Sequence, residues 1–294
     1  MNKHRDAVKQ LFFWIGLTCS AVLFLLPAIC DTAARIGQTE VISTYRELQE
    51  KYTETEIKQE LQRADAYNRM LAEKQKEEPF FYQGESATDE RYESLLAAAD
   101  GVMGYVEVEE ADILLPICHG TDEAVLTSSA GHIYGTSLPV GGRSTHAVIA
   151  AHTGYSGAAL FDNLISMKEG DRFTVCVPGK RLVYRVGRIL TVLPEEADQW
   201  LQIQEGQDVV TLYTCTPYGV NDHRLLVSGY RSAEEEKEQR EKSEGVVLAA
   251  ETGAIVRKLL LLLFIPAALL TEGFLRSRRR RKCPDELSCG EERD

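Results

Sequence analysis

Paired cysteines, an excess of basic residues and internal repeats are all missing from this chain of 294 residues. The seven cysteines include no CxxC pair, so a structural zinc site is not expected, and no other metal or cofactor site is indicated. The net charge of −12 argues against a nucleic-acid partner, because phosphate binding needs a basic face. With 44% hydrophobic and 27% charged residues, a chain of this length can build one sizeable core with appendages.

The charge is distributed unevenly, and both ends of the chain are basic. Residues 11–30 form an uncharged run long enough to cross a bilayer, and residues 254–275 form a second apolar segment. Basic flanks outside both segments predict two transmembrane helices, with both termini in the cytoplasm and the middle of the chain outside the cell. The alternatives are a cleaved signal peptide, with Ala33 and Ala34 as the processing site, and a buried amphipathic helix for the second segment.

The sequence pattern between the first span and residue 101 predicts mainly helical structure. No proline or glycine occurs in residues 42–76, and Thr44 and Glu47 have the spacing of a capping box. Pro79 and Gly84 then interrupt the pattern, and a short helix is predicted over residues 88–99.

From Val102 onward the sequence pattern changes to short β-prone runs separated by glycine and proline. About seven such runs occur before residue 232, and few long helical patterns lie among them. The pattern predicts a mainly β domain that forms a closed barrel or a sandwich.

A thiol and a guanidinium flank one loop of this β domain. Cys215 ends an apolar run, and Arg224 directly precedes the next one. Attack of a thiolate on a carbonyl needs such a nucleophile and a cation for the developing oxyanion. The alternative is a small buried cysteine and an arginine in a surface ion pair.

Two histidines are candidates for the acid and base of such a reaction. His152 ends the apolar run 146–152, and His223 is adjacent to Arg224. Spacing alone leaves both possibilities open. The other cysteines of the exterior domain, Cys118 and Cys176, are expected to be buried free thiols rather than a disulfide.

The order His152, Cys215, Arg224, with Cys215 closing the motif TLYTC, resembles the sortases, which are cell-surface transpeptidases of Gram-positive bacteria. Several separate stretches resemble the class C, pilin-polymerising sortases: LPICHGTDEAVL, GHIYGTSLPVGGRSTHAVI and TLYTCTPYGVNDHRLLV. The resemblance covers roughly Tyr45 to Arg231 and selects His152 over His223.

The resemblance implies a sortase-type eight-stranded β-barrel with N-terminal helices and a lid, flanked by the two transmembrane helices. It implies cleavage of a Leu-Pro-x-Thr-Gly-like (LPxTG-like) sorting signal between Thr and Gly, with no metal or cofactor. Cys215 would attack the threonine carbonyl, His152 would act as acid and base, and Arg224 would hold the oxyanion or substrate backbone. The partners would be surface proteins that carry the signal, with a lysine amine of a pilin as acceptor. A sortase that attaches proteins to the cell wall and a catalytically silent membrane scaffold are the alternatives.

Class C sortases typically carry a lid with an Asp-Pro-aromatic motif, and here Glu78-Pro79-Phe80 falls in its place. We expect Phe80 to cover Cys215 and Glu78 to pair with Arg224. Phe81 and Tyr82 are rival plugs, and an ordinary loop packed on the barrel is the alternative. Thr153 is a further departure, because many class C sequences have arginine after the histidine.

Together these inferences divide the chain into eight parts. They are a cytoplasmic N-terminus (1–10), a transmembrane helix (11–30), a membrane-proximal helical segment (31–77), the lid loop and short helix (78–101), the catalytic barrel (102–232), a charged linker (233–253), a second transmembrane helix (254–275) and a basic cytoplasmic tail (276–294).

Overall fold

The structure is a computed structural model that describes residues 2–84, 87–97 and 101–231. The predicted charged linker, second transmembrane helix and cytoplasmic tail lie outside the described residues.

The N-terminal part of the chain forms two long helices. Helix α1 spans Asn2–Lys51, and helix α2 spans Glu54–Glu77. Within the described residues, α1 is the one helix that is long and apolar enough to cross a membrane. Its side chains from Phe13 to Ile29 include many exposed large apolar groups, in agreement with a span at this place.

The capping box lies at a different position from the predicted one. Thr44 and Glu47 are inside α1, so they start no helix. The box belongs to α2, where the Thr53 hydroxyl accepts a hydrogen bond from the Glu56 amide (3.2 Å) and the Glu56 carboxylate accepts one from the Thr53 amide (2.8 Å). The two helices therefore separate at residues 52–53 instead of forming one continuous segment.

The short helix predicted over residues 88–99 is only one turn long. Helix α3 spans Glu90–Glu93, and the Asp89 side chain caps it by accepting from the Tyr92 amide. Leu96 has a φ of 57°, which no α-helix accommodates, so the chain turns away before residue 98. A second one-turn helix, α4, spans Glu123–Leu126.

The β domain is a closed barrel of eight strands, which confirms the predicted fold. The strands run β1 (Val102–Val108), β2 (Ile113–His119), β3 (Ala130–His132), β4 (Thr145–Ala150), β5 (Arg172–Val177), β6 (Lys180–Val192), β7 (Asp208–Thr216) and β8 (His223–Arg231). Around the barrel their order is β1-β2-β3-β4-β7-β8-β6-β5. The pairs β2/β3 and β4/β7 are parallel, and the other pairs are antiparallel.

The two faces of the strands pack against different partners. Because side chains alternate along a strand, Val210 and Leu212 of β7 point into the barrel core while Thr211 and Tyr213 point outward. The outward face of β4, β7 and β8 is covered by the connection between β6 and β7 and by a smaller apolar cluster. That cluster consists of Phe80, Ile133, Val148, Ala150, Leu201 and Leu226.

Candidate active site

The register of β7 and β8 brings Cys215 and Arg224 side by side. The two residues are direct partners in this antiparallel pair, and partners in such a pair project from the same face of the sheet, with Cβ atoms about 5 Å apart. Cys215 is half-buried, and Tyr213 lies two residues earlier on the same face. The thiol and the guanidinium predicted to face each other across the loop are therefore neighbours.

His152 reaches the same place from the end of β4. This strand lies parallel to β7, and after its last pair the Ala151 amide still donates to the Tyr213 carbonyl (3.1 Å). The His152 carbonyl then accepts from the Phe161 amide (3.0 Å), which closes the following loop. The imidazole stacks on the Tyr155 ring, with centroids 5.6 Å apart and planes at 16°.

These side chains line one cleft of about 300 Å³ on the outer face of the barrel. Its walls come from β4, β7, β8, the β2–β3 and β6–β7 connections and the segment before the barrel. The lining residues include His152, Cys215, Arg224, Tyr213, Leu201 and Tyr82.

His223 lies on the other face of the sheet from Cys215. Its partner across the β7–β8 pair is Thr216, which is adjacent to Cys215 and therefore projects to the opposite side. The His223 ring instead lies 2.8 Å from the Asp222 carboxylate, which lowers the pKa of that carboxyl group. This geometry favours His152 over His223 as the partner of Cys215.

Arg224 is oriented by the β7–β8 loop and lies beside a phenol. Its Nη1 donates to the carbonyl groups of Asn221 and His223, at 3.1 Å in each case. Burial raises the pKa of the Tyr213 phenol, and the neighbouring Arg224 guanidinium opposes that shift. A cation with donors held this way is suited to bind an oxyanion or a peptide carbonyl.

Thr153 occupies the interior of the loop that follows β4. Its hydroxyl is buried, 2.7 Å from the Thr214 hydroxyl and 3.2 Å from the Phe161 carbonyl. The Thr214 hydroxyl donates in turn to the Ala151 carbonyl (2.7 Å). No local sequence pattern predicts this contact, because it joins residues 61 positions apart.

The lid segment lies along the cleft, but its residues occupy different positions from those expected. Glu78 is the C-cap residue directly after α2 and pairs with Lys74 (3.7 Å) in an exposed contact, and Pro79 follows it. Phe80 is only 5% exposed and packs in the apolar cluster beside the cleft, and it is not among the residues that line the cleft. Glu78 is held at the end of α2, which explains why its carboxylate pairs within the helix instead of with Arg224.

Tyr82 is the aromatic residue of this segment that lines the cleft. Its amide donates to the Asp198 carboxylate (3.1 Å), and its hydroxyl lies 3.3 Å from that of Thr121. Tyr82 thus contacts the β6–β7 connection through its backbone and the β2–β3 connection through its hydroxyl. Phe81, between Phe80 and Tyr82, is 67% exposed, as alternation in an extended segment requires.

Phe80 is attached to the barrel through the side chain of Gln202. The Phe80 amide donates to the Gln202 side-chain oxygen (2.8 Å), and the Gln202 amide nitrogen donates back to the Phe80 carbonyl (2.8 Å). The Gln202 carbonyl faces Nδ1 of His146 (2.9 Å), whose Nε2 lies 2.8 Å from the Thr211 hydroxyl. Burial lowers the pKa of His146 to about 4, so the ring is neutral and this network is uncharged at pH 7.

The other two cysteines of the barrel, Cys118 and Cys176, do not form a disulfide. Cys176 is buried against α1, and burial raises the pKa of its thiol. Cys118 is half-buried at the end of β2. Both thiols lie on strands that form the side of the barrel next to α1.

Comparison with known proteins agrees with this geometry. Residues 106–232 match the model of the sortase domain family. Sortase C of Streptococcus pneumoniae, whose structure has been described in terms of catalysis and pilin substrate specificity, is 38% identical over 66% of this chain and 96% of its own, with a TM-score of 0.59. Sortase C-1 of Actinomyces oris is 43% identical over 60% of this chain and 98% of its own (TM-score 0.56). A lid mutant of sortase A from Corynebacterium diphtheriae is 38% identical over 61% of this chain and 95% of its own (TM-score 0.56).

No curated protein matches the chain. At these identities, and with nearly the whole of each solved structure covered, the chain belongs to the sortase family and falls among its class C members. It is therefore a cysteine transpeptidase.

Proposed function

We propose that this sortase is a membrane-anchored enzyme that cleaves an LPxTG-like sorting signal between Thr and Gly and passes the acyl group to a lysine amine of a pilin subunit. The observation that carries the proposal is the common cleft of His152, Cys215 and Arg224. A nucleophile, an acid/base and a cation in one groove are the groups that acyl transfer to an amine needs.

The first half-reaction forms a thioester. The Cys215 thiolate attacks the threonine carbonyl carbon of the signal, and the carbonyl oxygen becomes an oxyanion beside the Arg224 guanidinium. As the C–N bond to glycine breaks, protonated His152 gives its proton to the departing amine. The products of this step are the thioacyl enzyme, neutral His152 and a released peptide that begins with glycine.

The second half-reaction transfers the acyl group. A lysine ε-amine attacks the thioester carbonyl, and neutral His152 takes the proton that the amine loses. The Cys215–acyl bond breaks, which regenerates the thiolate and leaves an isopeptide bond between two protein chains. Repetition on successive subunits would build a covalent fibre.

A pilin as acceptor is supported by similarity to class C enzymes. The relative from Streptococcus pneumoniae is described in terms of pilin substrate specificity. In this chain, the sequence stretches on which the resemblance depends lie in or next to the walls of the cleft. They contribute Thr121, Leu126 and Tyr213 to its lining. Attachment of surface proteins to the cell wall uses the same first half-reaction and differs only in the amine that enters.

Retention of the first span is supported by the way α1 contacts the barrel. Ala33 and Ala34, the possible processing site, lie inside the helix, and Ala34 packs against the barrel core. The Asp31 carboxylate accepts from the Ala159 amide (2.9 Å), and Arg35 pairs with Asp112 (2.7 Å). A signal peptidase needs an extended substrate, and cleavage after residue 34 would remove the Asp31 contact with the barrel. With the predicted second span, this anchor gives a two-pass protein whose barrel is outside the cell and whose termini are cytoplasmic.

The segment Glu78, Pro79, Phe80 and its continuation to Tyr82 is proposed as a lid over the cleft. Phe80 would anchor it in the apolar cluster, and Tyr82 would be the plug. Opening would require loss of the Tyr82 contacts with Asp198 and Thr121, while the bonds between Phe80 and Gln202 could persist.

The test incubates the full-length protein in detergent with an LPxTG-like peptide and with a pilin that carries both a sorting signal and an acceptor lysine. Wild type and Cys215→Ala are compared, each also in a Tyr82→Ala background that opens the cleft. Peptide cleavage and SDS-resistant pilin ladders that depend on Cys215 are expected. Cleavage without ladders would redirect the proposal to cell-wall attachment, and the absence of both would overturn it.

A further inference from the structure

The direction of every barrel strand can be read relative to α1, the helix that carries the apolar span. Asp31 is the first charged residue after that span, and it contacts the barrel at Ala159. Contacts with the barrel then recur at increasing distance along the helix, which rises 1.5 Å per residue. Arg35 meets Asp112 about 6 Å beyond Asp31, and Tyr45 meets the Met103 carbonyl about 21 Å beyond it.

These contacts fix the direction of β1. The strand begins next to Met103, far from the span, and the chain then reaches Asp112, close to the span, so β1 runs toward the end of the apolar segment. The pairing of the strands transmits this direction around the barrel. Strand β2 is antiparallel to β1 and runs away, β3 is parallel to β2 and also runs away, and β4 is antiparallel to β3 and runs back toward the span.

The same reasoning places all three groups of the cleft at one end. Strand β7 is parallel to β4, so its C-terminal end with Cys215 points toward the span, as does the end of β4 before His152. Strand β8 is antiparallel to β7 and starts there with Arg224. The local contacts agree, because His152 is bonded to Phe161, only two residues from the Ala159 that touches Asp31.

The exposed apolar side chains of the barrel lie at this end as well. Within residues 102–231, every large apolar side chain that is exposed belongs to the connection after β4, the residue after β6 or the β7–β8 loop. These are Tyr155, Ile165, Leu193, Tyr218 and Val220. Tyrosine and aliphatic groups at the rim of a protein domain suit the interfacial region of a bilayer, where aromatic side chains are enriched.

From these observations we infer that the cleft end of the barrel faces the outer surface of the phospholipid bilayer, with the β7–β8 loop touching lipid. Helix α1 holds this end in place, because it continues from the span into the barrel contacts without a break. The opposite end, where Gly206 meets Ser144 before β4 and β7, points away from the membrane. Peptides tethered to the same bilayer would then meet the cleft without the enzyme leaving the surface. The inference rests on the proposed membrane anchor but not on the proposed reaction.

The test places a photocrosslinking amino acid, benzoylphenylalanine, at one position of the full-length protein in lipid nanodiscs of phosphatidylglycerol and phosphatidylcholine. Val220 at the cleft end is compared with Glu205 at the opposite end; both side chains are exposed. The readout is the yield of phospholipid adducts measured by mass spectrometry. We expect at least fivefold more adduct at position 220 than at position 205. Equal yields, a higher yield at position 205, or no adduct at either position would overturn the inference.

A second variant tests whether α1 sets this orientation. A flexible Gly-Ser linker of about 12 residues is inserted between Cys30 and Asp31, which leaves the contacts of α1 with the barrel intact. The adduct yield at position 220 is expected to fall at least threefold, and an unchanged yield would overturn the role assigned to α1. Crosslinking needs no turnover, so cleavage of a soluble peptide is measured on the same samples. Lipid adducts without any cleavage would leave the orientation standing and overturn the proposed function alone.

Discussion

The hydroxyl groups of Thr153 and Thr214 lie 2.7 Å apart, and each residue directly adjoins a residue of the cleft. Thr153 follows His152, and Thr214 precedes Cys215. Because the Thr214 hydroxyl donates to the Ala151 carbonyl, the Thr153 hydroxyl is the donor between the two side chains. This buried pair joins the backbone of the histidine loop to the strand that carries the thiol, so it sets the spacing between the imidazole and the sulfur.

Thr153→Val is expected to lower kcat/KM for an LPxTG-like peptide by about tenfold. The substitution keeps the shape of the side chain and removes the hydroxyl, which leaves the Thr214 oxygen without its buried donor at a cost of roughly 1–3 kcal/mol. The Phe161 carbonyl keeps the Leu164 amide as donor. Thr153→Ser keeps the donor and should stay within about twofold of wild type. A drop of the same size in both variants would show that the methyl group, and not the hydrogen bond, matters.

Removal of the proposed plug is expected to expose the thiol. Tyr82→Ala removes the ring from the cleft and its hydroxyl contact with Thr121, while the backbone bond to Asp198 is kept. We expect alkylation of the Cys215 thiol by iodoacetamide to accelerate about tenfold. Phe81→Ala is the matched control, because Phe81 is the neighbouring aromatic and projects into solvent. Equal alkylation rates for wild type and Tyr82→Ala would remove Tyr82 from the lid. Labelling is located by peptide mass spectrometry, which separates Cys215 from the other cysteines.

Phe80→Ala is expected to act on stability as well as on access. Phe80 is almost fully buried, and loss of a buried phenyl ring typically costs about 3–5 kcal/mol. The lower part of this range is expected here, since the segment can detach from the barrel without unfolding it. Urea denaturation followed by circular dichroism gives the free energy of unfolding. A loss below about 1 kcal/mol would mean that the apolar cluster does not anchor the segment.

Substitutions of the two histidines are expected to have very different effects on the rate of peptide cleavage. His152→Ala should reduce peptide cleavage by at least a hundredfold, in line with loss of a general acid/base, whereas His223→Ala should change it less than threefold. The reason is the register, which sets His223 opposite Thr216 and on the other face from Cys215. Comparable losses in both variants would contradict this assignment.

The sequence predicted the fold well where local pattern decides it. Seven β-prone runs correspond to seven of the strands, because alternation and turn residues are local signals. Strand β3 was not among them, since Ala130–His132 is three residues long and exists only through its pairing with β2 and β4. The sequence pattern predicts the capping box at Thr44 instead of Thr53. This prediction is wrong because α1 continues past Thr44, where contacts with the barrel such as that of Tyr45 with Met103 stabilise it.

For the site, too, local sequence patterns predict one part of the arrangement and contacts between distant residues decide the other. The residues that line the cleft could be named because strand ends and a family resemblance mark them. The lid could be located, but which of its aromatics enters the cleft depends on Gln202 and Asp198, more than 100 positions further along the chain. No spacing rule in the sequence relates such distant residues, so Phe80 was expected where the structure has Tyr82.

Two buried histidines make the stability of the barrel depend on pH. Burial lowers the pKa of His132 and that of His146 to about 4, from an ordinary value of 6.5. The folded state therefore binds these protons more weakly than the unfolded state. Their contribution to stability is fully present above pH 6.5 and is lost as the pH falls toward 4. Burial raises the pKa of Asp208, which acts in the opposite direction and offsets part of the loss at the acidic end of this range.

His146→Asn is expected to flatten this pH dependence. The Gln202 carbonyl can only accept, so Nδ1 of His146 is its donor, and the asparagine amide keeps that donor in nearly the same place. The variant loses the acceptor for Thr211 and should be less stable than wild type at pH 7, yet its free energy of unfolding should fall less between pH 6.5 and 4. The lowering of the pKa of His146 from 6.5 to about 4 corresponds to roughly 3–4 kcal/mol at about 1.4 kcal/mol per pH unit. Urea denaturation at half-unit pH intervals measures both curves, and parallel curves would show that protonation of His146 does not destabilise the barrel.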